Sequence, residues 1–343
     1  MSLSFRELIH ISRPRFRLYT AGPFLVGVAA TGRFSIQATS LSYFWQEGDV
    51  KWIVAIILIV LTFLVYLFYF LFPANLLIYG VNDIADEDTD LLNAKKQGYE
   101  LLHTKEKTQA LTKSIKKRAL LPHGIALLLT ILFAINETVF MGNYALNPHP
   151  HYFQLLLLPL LTVLSWSIYH LLARWCFYAT SIFYSLPPVR AKAKPFLDGI
   201  LNVLYILPGL IGFLRFGGSR DAIYRPLFVA AWLRCMAMHA YSAIPDIEPD
   251  AAAGLKTTAV MLGKQKTLLY CNILWWIAAI LSMPFLGRIS VWGFTLYTLL
   301  ILLSQKTSVF SIYKRFPTIN GCLWCIIFLY VARHAATLFK ETI

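Results

Sequence analysis

Acidic side chains are scarce in this chain, 17 in 343 residues, and they are unevenly spread. Asp83, Asp86, Glu87, Asp88 and Asp90 sit within "GVNDIADEDTD", and Asp246, Glu248 and Asp250 share a second short stretch. If residues 82–90 continue as a helix, Asn82, Asp86 and Asp90 stand at i, i+4 and i+8, with Asp83 one step round on the same side. Carboxylates packed that closely repel, and without a counter-ion some would have to take up protons. A divalent cation removes the conflict. Hard oxygen donors in this number suit magnesium, which binds through a few carboxylates together with the oxygens of a phosphorylated substrate. Asp246 and Asp250 repeat the i, i+4 spacing, although Pro249 between them argues for a helix end or a broken turn. Two such clusters facing each other could hold two or more magnesium ions around a diphosphate. In "YSLPPVRAKAKP", Pro187 and Pro188 end an apolar run and Arg190, Lys192 and Lys194 follow at alternating positions. Cations there would stabilise the charge on a departing diphosphate. A single N-D-x-x-D is equally a solvated helix cap, paired at the surface with Lys95, Lys96 or Lys105. Two aspartate clusters with an R-x-K between them are not explained that way.

The elements that must carry these residues are membrane helices. With 58% hydrophobic residues, 14% charged and a mean hydropathy of +0.61, the composition is that of an integral membrane protein. A crossing needs about 20 apolar residues, and apolar runs bounded by polar or turn-forming residues fall near 17–32, 52–80, 119–141, 154–186, 196–214, 225–245, 267–285, 289–304 and 318–339. The expected fold is therefore an all-α, multi-pass transmembrane bundle of about nine helices, with residues 1–343 as one domain. The run 154–186 is too long for one straight crossing and contains His170 and Arg174, which points to a kink or an extension beyond the bilayer. The N-terminus carries charges where the apolar core of a secretory signal would lie, so the first crossing is expected to stay in the mature protein.

Alternating the loops collects most lysines and arginines, Lys113 to Arg118 and Arg190 to Lys194 among them, on one side. The positive-inside rule makes that side cytoplasmic, and both acidic clusters then lie at the inner mouth of the bundle. The net charge of +14 is accounted for by this topology and by anionic lipid, with no call on nucleic acid. No protein partner is evident. The five cysteines lie in apolar stretches, and Cys322-x-x-Cys325, on an expected membrane helix without a second Cys/His pair, reads as packing.

"NDIADEDTD" and "DIEPD" are similar to the two aspartate motifs of the UbiA superfamily of intramembrane prenyltransferases, and "YSLPPVRAK" resembles the segment before its fifth helix. The resemblance extends over nearly the whole chain. "SRPRFRLYTAGPFLVG", "PANLLIYGVND", "KPFLD" and "MHAYSAIPDIEPDAAAGLKTTAVMLG" look more narrowly like the branch containing lycopene elongases, which add five-carbon units to the ends of a carotenoid. The resemblance implies a first magnesium-diphosphate site at Asn82, Asp83, Asp86 and Asp90, a second at Asp246 and Asp250, Arg190 and Lys192 on the diphosphate, and Tyr184 beside the allylic carbon. Pro249 is an unusual filler in the second motif, and the loop from Gly32 to Asp49 is long.

The implied chemistry is Mg2+-dependent transfer of a prenyl group from an allylic diphosphate to a hydrophobic acceptor in the lipid bilayer, a linear carotenoid or, alternatively, an aromatic quinone-precursor ring. An allylic diphosphate is a latent carbocation, and the metal neutralises the charge left on its diphosphate. Water must be kept from the cation, which suits a dry helix bundle. Tyr184, Tyr241, Tyr66 and Phe70 are aromatic candidates for stabilising the cation. His239 lies two helical turns before Asp246, with Arg234 a further turn above. It is a candidate for lining the acceptor pocket and taking the final proton, against a hydrogen-bonded structural histidine. Arg174 and Glu137 read as interfacial or paired residues. The expected location is a prokaryotic plasma membrane with the active-site mouth toward the cytoplasm. A transporter would instead place its charges near the midplane and pair broken helices in two halves, and a non-catalytic scaffold gives no reason for the magnesium-ligand spacing.

Overall fold

A computed structural model describes residues 3–32, 50–86, 107–118, 152–218 and 225–338, with positions 124, 125 and 128. All regular structure among the described residues is helical. In chain order the α-helices are α1 (Phe5–Ile11), α2 (Leu18–Ala30), α3 (Val50–Leu71), α4 (Pro73–Ala85), α5 (107–118), α6 (Tyr152–Phe183), α7 (Leu197–Ile200), α8 (Leu207–Arg215), α9 (Arg225–Ala243), α10 (Ile247–Ala252), α11 (Thr258–Leu286), α12 (Arg288–Lys306), α13 (Val309–Tyr313) and α14 (Phe316–Leu338). Six spans, Ile56–Ala85, Leu197–Arg215, Arg225–Ala252, Thr258–Leu286, Arg288–Lys306 and Val309–His334, are long and apolar enough to cross a membrane. The run expected at 119–141 lies, except for three positions, outside the described residues, as does Glu137.

The surface is inverted relative to a water-soluble protein. Trp292, Trp175, Ile280 and Leu329 are among the most exposed large side chains, an arrangement stable against acyl chains but not against water. Polar groups turn inward. Arg174 donates to the Tyr66 hydroxyl at 3.1 Å, and that hydroxyl lies 3.0 Å from His170 Nε2, all three buried. The long fourth run is thus one 32-residue helix, α6, whose ionisable residues face α3. At about 1.5 Å per residue it outreaches a bilayer core of about 30 Å.

Several expected boundaries shift for local reasons. The run 52–80 is two helices, because Phe72 leaves helical geometry and Pro73 opens α4. Beside that break the Phe70 carbonyl accepts from the Thr20 hydroxyl and the Asn75 amide. The run 196–214 is one short turn, a 3-10 segment at Leu201–Tyr205, and α8, which starts with Pro208 in its first turn. The run 267–285 begins earlier, at Thr258, capped by Thr257, and leaves helical geometry at Gly263 with φ +70.

Apolar packing divides the bundle into two halves. One buried cluster joins residues of α1 to α6 and α8, and a second joins α9 and α11 to α14. The halves are stitched by α2, which packs on both α8 and α14. Its contact with α8 is made by backbone. A Cβ at Gly27 would lie 1.9 Å from the Gly209 carbonyl oxygen, and one at Gly212 would lie 2.7 Å from the Phe24 carbonyl oxygen. Small residues permit this approach where no hydrophobic drive between lipid-bathed helices exists. At the N-terminus, Ser4 and Glu7 form a capping box on α1, and Glu7 also pairs with Lys107 of α5 at 2.9 Å. The Lys107 ammonium and then the Ser4 N–H hold the Glu7 carboxyl at about 2, below its ordinary 4.5. This contact is therefore complete above the ordinary value and is lost as pH falls through the depressed one.

Gly27→Leu is expected to force α2 from α8 and lower the melting temperature in detergent, by the equivalent of about 1–3 kcal/mol or more. Gly293→Ala, whose Cβ would meet Leu323 at an ordinary 3.8 Å, is expected to leave it nearly unchanged.

Candidate active site

Between the two packed halves lies a cavity of about 610 Å³. α4 delivers Asn82 and Asp86 to it, the segment after α6 delivers Tyr184 and Lys192, α9 delivers Arg234 and His239, and the α9–α10 junction delivers Asp246 and Asp250.

α4 ends at Ala85 with Asp86 as its C-cap, and residues 87–90, over which the i, i+4, i+8 reading extends, lie outside the described residues. The first i, i+4 step survives. The Asn82 amide donates to Asp86 Oδ2 at 3.0 Å, and Lys192 Nζ donates to Asp86 Oδ1 at 2.5 Å and to Asn82 Oδ1 at 3.2 Å. Ser185 Oγ also donates to Asn82 Oδ1 at 3.1 Å. Lys192 is buried, and a lysine there needs such partners to keep its charge. Asp83 turns away from the other two. It is buried and held by Arg13 Nη2 at 2.9 Å, and it is Arg13, not Asp83, that lines the cavity. The Arg13 guanidinium also lies 4.8 Å above the Tyr79 ring. Asp90 lies outside the described residues.

Across the cavity, Ile244–Asp246 form a 3-10 turn that runs into α10, with Asp246 as the N-cap. Pro249 falls in the first turn of α10, where a missing N–H is tolerated, so Asp246 and Asp250 both reach the cavity despite it. Among the described residues no three His, Cys, Asp or Glu groups form a compact metal cluster. The oxygen donors are divided between two walls. Arg190 adopts a left-handed φ of 43 and is not among the residues lining the cavity, whereas Lys192, two positions on, is.

Tyr184 and His239 meet edge to face, 5.8 Å between ring centres, with the Tyr184 hydroxyl 3.3 Å from His239 Nε2. Asp198, fully buried, approaches the same nitrogen, with Oδ2 3.7 Å from Nε2, and His239 Nδ1 lies 3.4 Å from the Tyr184 hydroxyl. The rest of the wall is largely aromatic: Phe16, Tyr19, Tyr79, Tyr205 and Trp324. Tyr66, Phe70 and Tyr241 are buried in the packed clusters and do not line it. Arg174 bonds Tyr66 within the first half and is likewise not a lining residue. Arg13 and Asp198 lie in "SRPRFRLYTAGPFLVG" and "KPFLD", but no motif gives either a role. Asp198 is also an acid two residues into an apolar run, where ionisable groups tend to face a partner or a cavity. The pairing of Arg13 with Asp83 carried no local signal, because its partner is 70 residues away.

Residues 36–324 match the family model of the UbiA prenyltransferase family. The chain is 36% identical over 277 residues to a lycopene elongase/hydratase of Halobacterium salinarum, covering 80% of this chain and 78% of the relative. A lycopene elongase/hydratase of Haloarcula japonica is 34% identical over 336 residues, 94% of this chain and 91% of the relative. In fold the chain is similar to a UbiA homolog from Aeropyrum pernix K1 without ligand, with TM-score 0.52, 17% identity and coverage of 93% of this chain and 98% of that one. It is also similar to a UbiA homolog from Archaeoglobus fulgidus bound to DMAPP and Mg2+, with TM-score 0.51, 19% identity and coverage of 96% and 99%. An all-helical membrane bundle matched over most of its length by the family model and by relatives above 30% identity, this chain belongs to the UbiA prenyltransferase family and is a prenyltransferase.

Proposed function

We propose that this prenyltransferase adds a five-carbon unit from an allylic diphosphate to the end of a linear carotenoid such as lycopene, with magnesium as the cofactor. The observation that carries the reading is the make-up of one cavity. Asn82, Asp86, Lys192, Asp246 and Asp250 line it together with the aromatic rings of Phe16, Tyr19, Tyr79, Tyr205 and Trp324. The names of the relatives, lycopene elongase/hydratase, support the acceptor.

The donor set fits a hard cation, since carboxylate and amide oxygens on two facing walls suit ions that are completed by diphosphate oxygens. Asn82, Asp86, Asp246 and Asp250 would hold the metal, with Asp90 and Asp83 adding charge at the α4 end. Bound there, magnesium supplies Lewis-acid stabilisation of the departing diphosphate. Lys192, already on Asp86, is positioned to pass to diphosphate oxygens once the carboxylate is otherwise neutralised; Arg190 would have to leave its place outside the lining to join it. Arg13 pairs with Asp83 and presents its own charge to the cavity. The allylic cation is flanked by Tyr184, and the aromatic lining excludes the water that would otherwise capture it. His239 accepts the closing proton, from carbon when a double bond is restored or from water when water adds. The membrane is read as a prokaryotic plasma membrane with the carboxylates toward the cytoplasm, on the distribution of lysine and arginine.

One observation favours a second acceptor. Arg234 lines the cavity with its guanidinium held by the Tyr297 hydroxyl at 2.7 Å and Asn320 Oδ1 at 2.6 Å. This is the kind of cation that an acidic aromatic acceptor would require.

In a lycopene-producing bacterial host, lipid extracts are expected to contain lycopene heavier by one or two five-carbon units, with or without water, and Asp86→Ala is expected to abolish the product. Unchanged lycopene beside prenylated aromatic product would transfer the assignment to the second acceptor. With purified protein, chelation of divalent metal is expected to stop diphosphate release and magnesium to restore it. Lys192→Met is expected to lower turnover about 10²–10³-fold in the same assay.

A further inference from the structure

Asp198 lies within the membrane-spanning stretch Leu197–Arg215 and none of its side chain is exposed. A carboxylate so placed is maintained only by donors on nearly every lone pair. Its Oδ1 accepts from the Gly199 N–H at 2.8 Å and from the Thr258 hydroxyl at 2.5 Å, and its Oδ2 accepts from the Thr258 N–H at 2.8 Å. A carboxylate has about four acceptor positions. Three are used in tying α7 to the start of α11, and Oδ2 is also the oxygen that faces the imidazole of His239 at 3.7 Å. His239 in turn lines the cavity, and its ring meets the Tyr184 hydroxyl at 3.3 Å from Nε2 and 3.4 Å from Nδ1, so the Asp198 charge bears on Nε2 while Nδ1 stays beside Tyr184. A structural tether alone would not need its remaining oxygen position directed at the one histidine of the cavity wall.

We propose that Asp198 is a positioning residue for His239, holding the ring toward Tyr184 and stabilising the imidazolium formed in the last step of prenyl transfer. The proposal rests on the prenyl-transfer reading above. In that step the allylic carbon–oxygen bond has broken with its electron pair on the diphosphate. The π electrons of the acceptor alkene have formed the new carbon–carbon bond, leaving a cation on the acceptor. His239 then removes a proton from the carbon beside that cation, whose C–H electrons become the new double bond. When water adds instead, His239 takes the proton of the attached water and an alcohol remains. Either way the ring gains one positive charge beside the Asp198 carboxylate, the role of the acidic member in histidine-based proton transfer.

The test is the stoichiometry of turnover in liposomes containing lycopene and a labelled five-carbon allylic diphosphate, with diphosphate, prenylated product and free five-carbon alcohol all counted. The wild-type chain is expected to release one diphosphate per five-carbon unit added to lycopene. Asp198→Asn is expected to lower product formation about 10²-fold or more, to change the KM for the diphosphate within about twofold, and to release diphosphate in excess. The acceptor cation that keeps its proton gives the new carbon–carbon bond back to the alkene, and the freed five-carbon cation takes up water, losing a proton to solvent, and is recovered as the alcohol. His239→Gln should uncouple in the same way, the double variant should be no worse than either single one, and Asp198→Glu should return the ratio toward one. Because the ratio is taken per turnover, it is independent of the fraction of protein folded. Thr258→Val, which loosens the tether but leaves the charge, should lower the melting temperature and keep the ratio near one. A ratio near one in Asp198→Asn, or uncoupling in Thr258→Val equal to that in Asp198→Asn, would overturn the proposal. A wild-type chain that releases diphosphate without prenylating lycopene would instead remove the carotenoid assignment, which is a separate result.

Discussion

The ion pair between Lys192 and Asp86 joins positions 106 residues apart at the point where the two halves of the bundle meet. Both side chains are buried, and charges taken out of water are stable only when paired with good geometry and further hydrogen bonds. Asn82 provides those bonds by binding both partners, and Ser185 fixes Asn82 in turn. The same constraint governs Asp83 with Arg13 and Asp198 with Thr258 and Gly199. Three carboxylates are thus each held by a different segment of chain. Together they tie α4, α7, the turn before α2 and the start of α11 around one cavity.

Such pairs are affordable because the surrounding packing is rigid. α2 reaches α8 through Gly27, Gly209 and Gly212 at backbone distance, and the aromatic clusters on either side fill the remaining space. The apolar surface that would aggregate in water is the solvent-matched face in lipid. Interior polar groups outside the cavity, such as Arg174 with Tyr66 and His170, bond to one another. The candidate functional residues gather around a single cavity, whose enclosure would, in the proposed reaction, keep water from a carbocation.

The proposed reaction assigns the cavity two tasks. Charge neutralisation falls to the oxygen donors that α4 and α10 contribute to its lining. Proton handling falls to His239, on α9, with Tyr184 and Asp198 both beside its ring. Asp246 lies seven residues after His239 on the same stretch of chain, so α9 and its short extension link the two tasks.

Local periodicity in the sequence was enough to identify the membrane helices, because an apolar run of crossing length has no other stable environment. The scarcity of acids made "NDIADEDTD" and "DIEPD" legible as one site, and Lys192 and His239 followed from their spacing to these motifs and to the helix. The end of α4 at Ala85 was not legible, since the sequence pattern beyond it is compatible with helix; the break comes at Asp86, whose side chain meets Lys192. Nor was the choice of Lys192 over Arg190 as the residue that lines the cavity, which depends on the left-handed turn at Arg190. Arg13 with Asp83, and Asp198 with His239, are pairs across 70 and 41 positions whose members give no mutual signal along the chain. Composition and spacing record what each segment requires of its surroundings. Which partner meets the requirement is decided only when the segments pack.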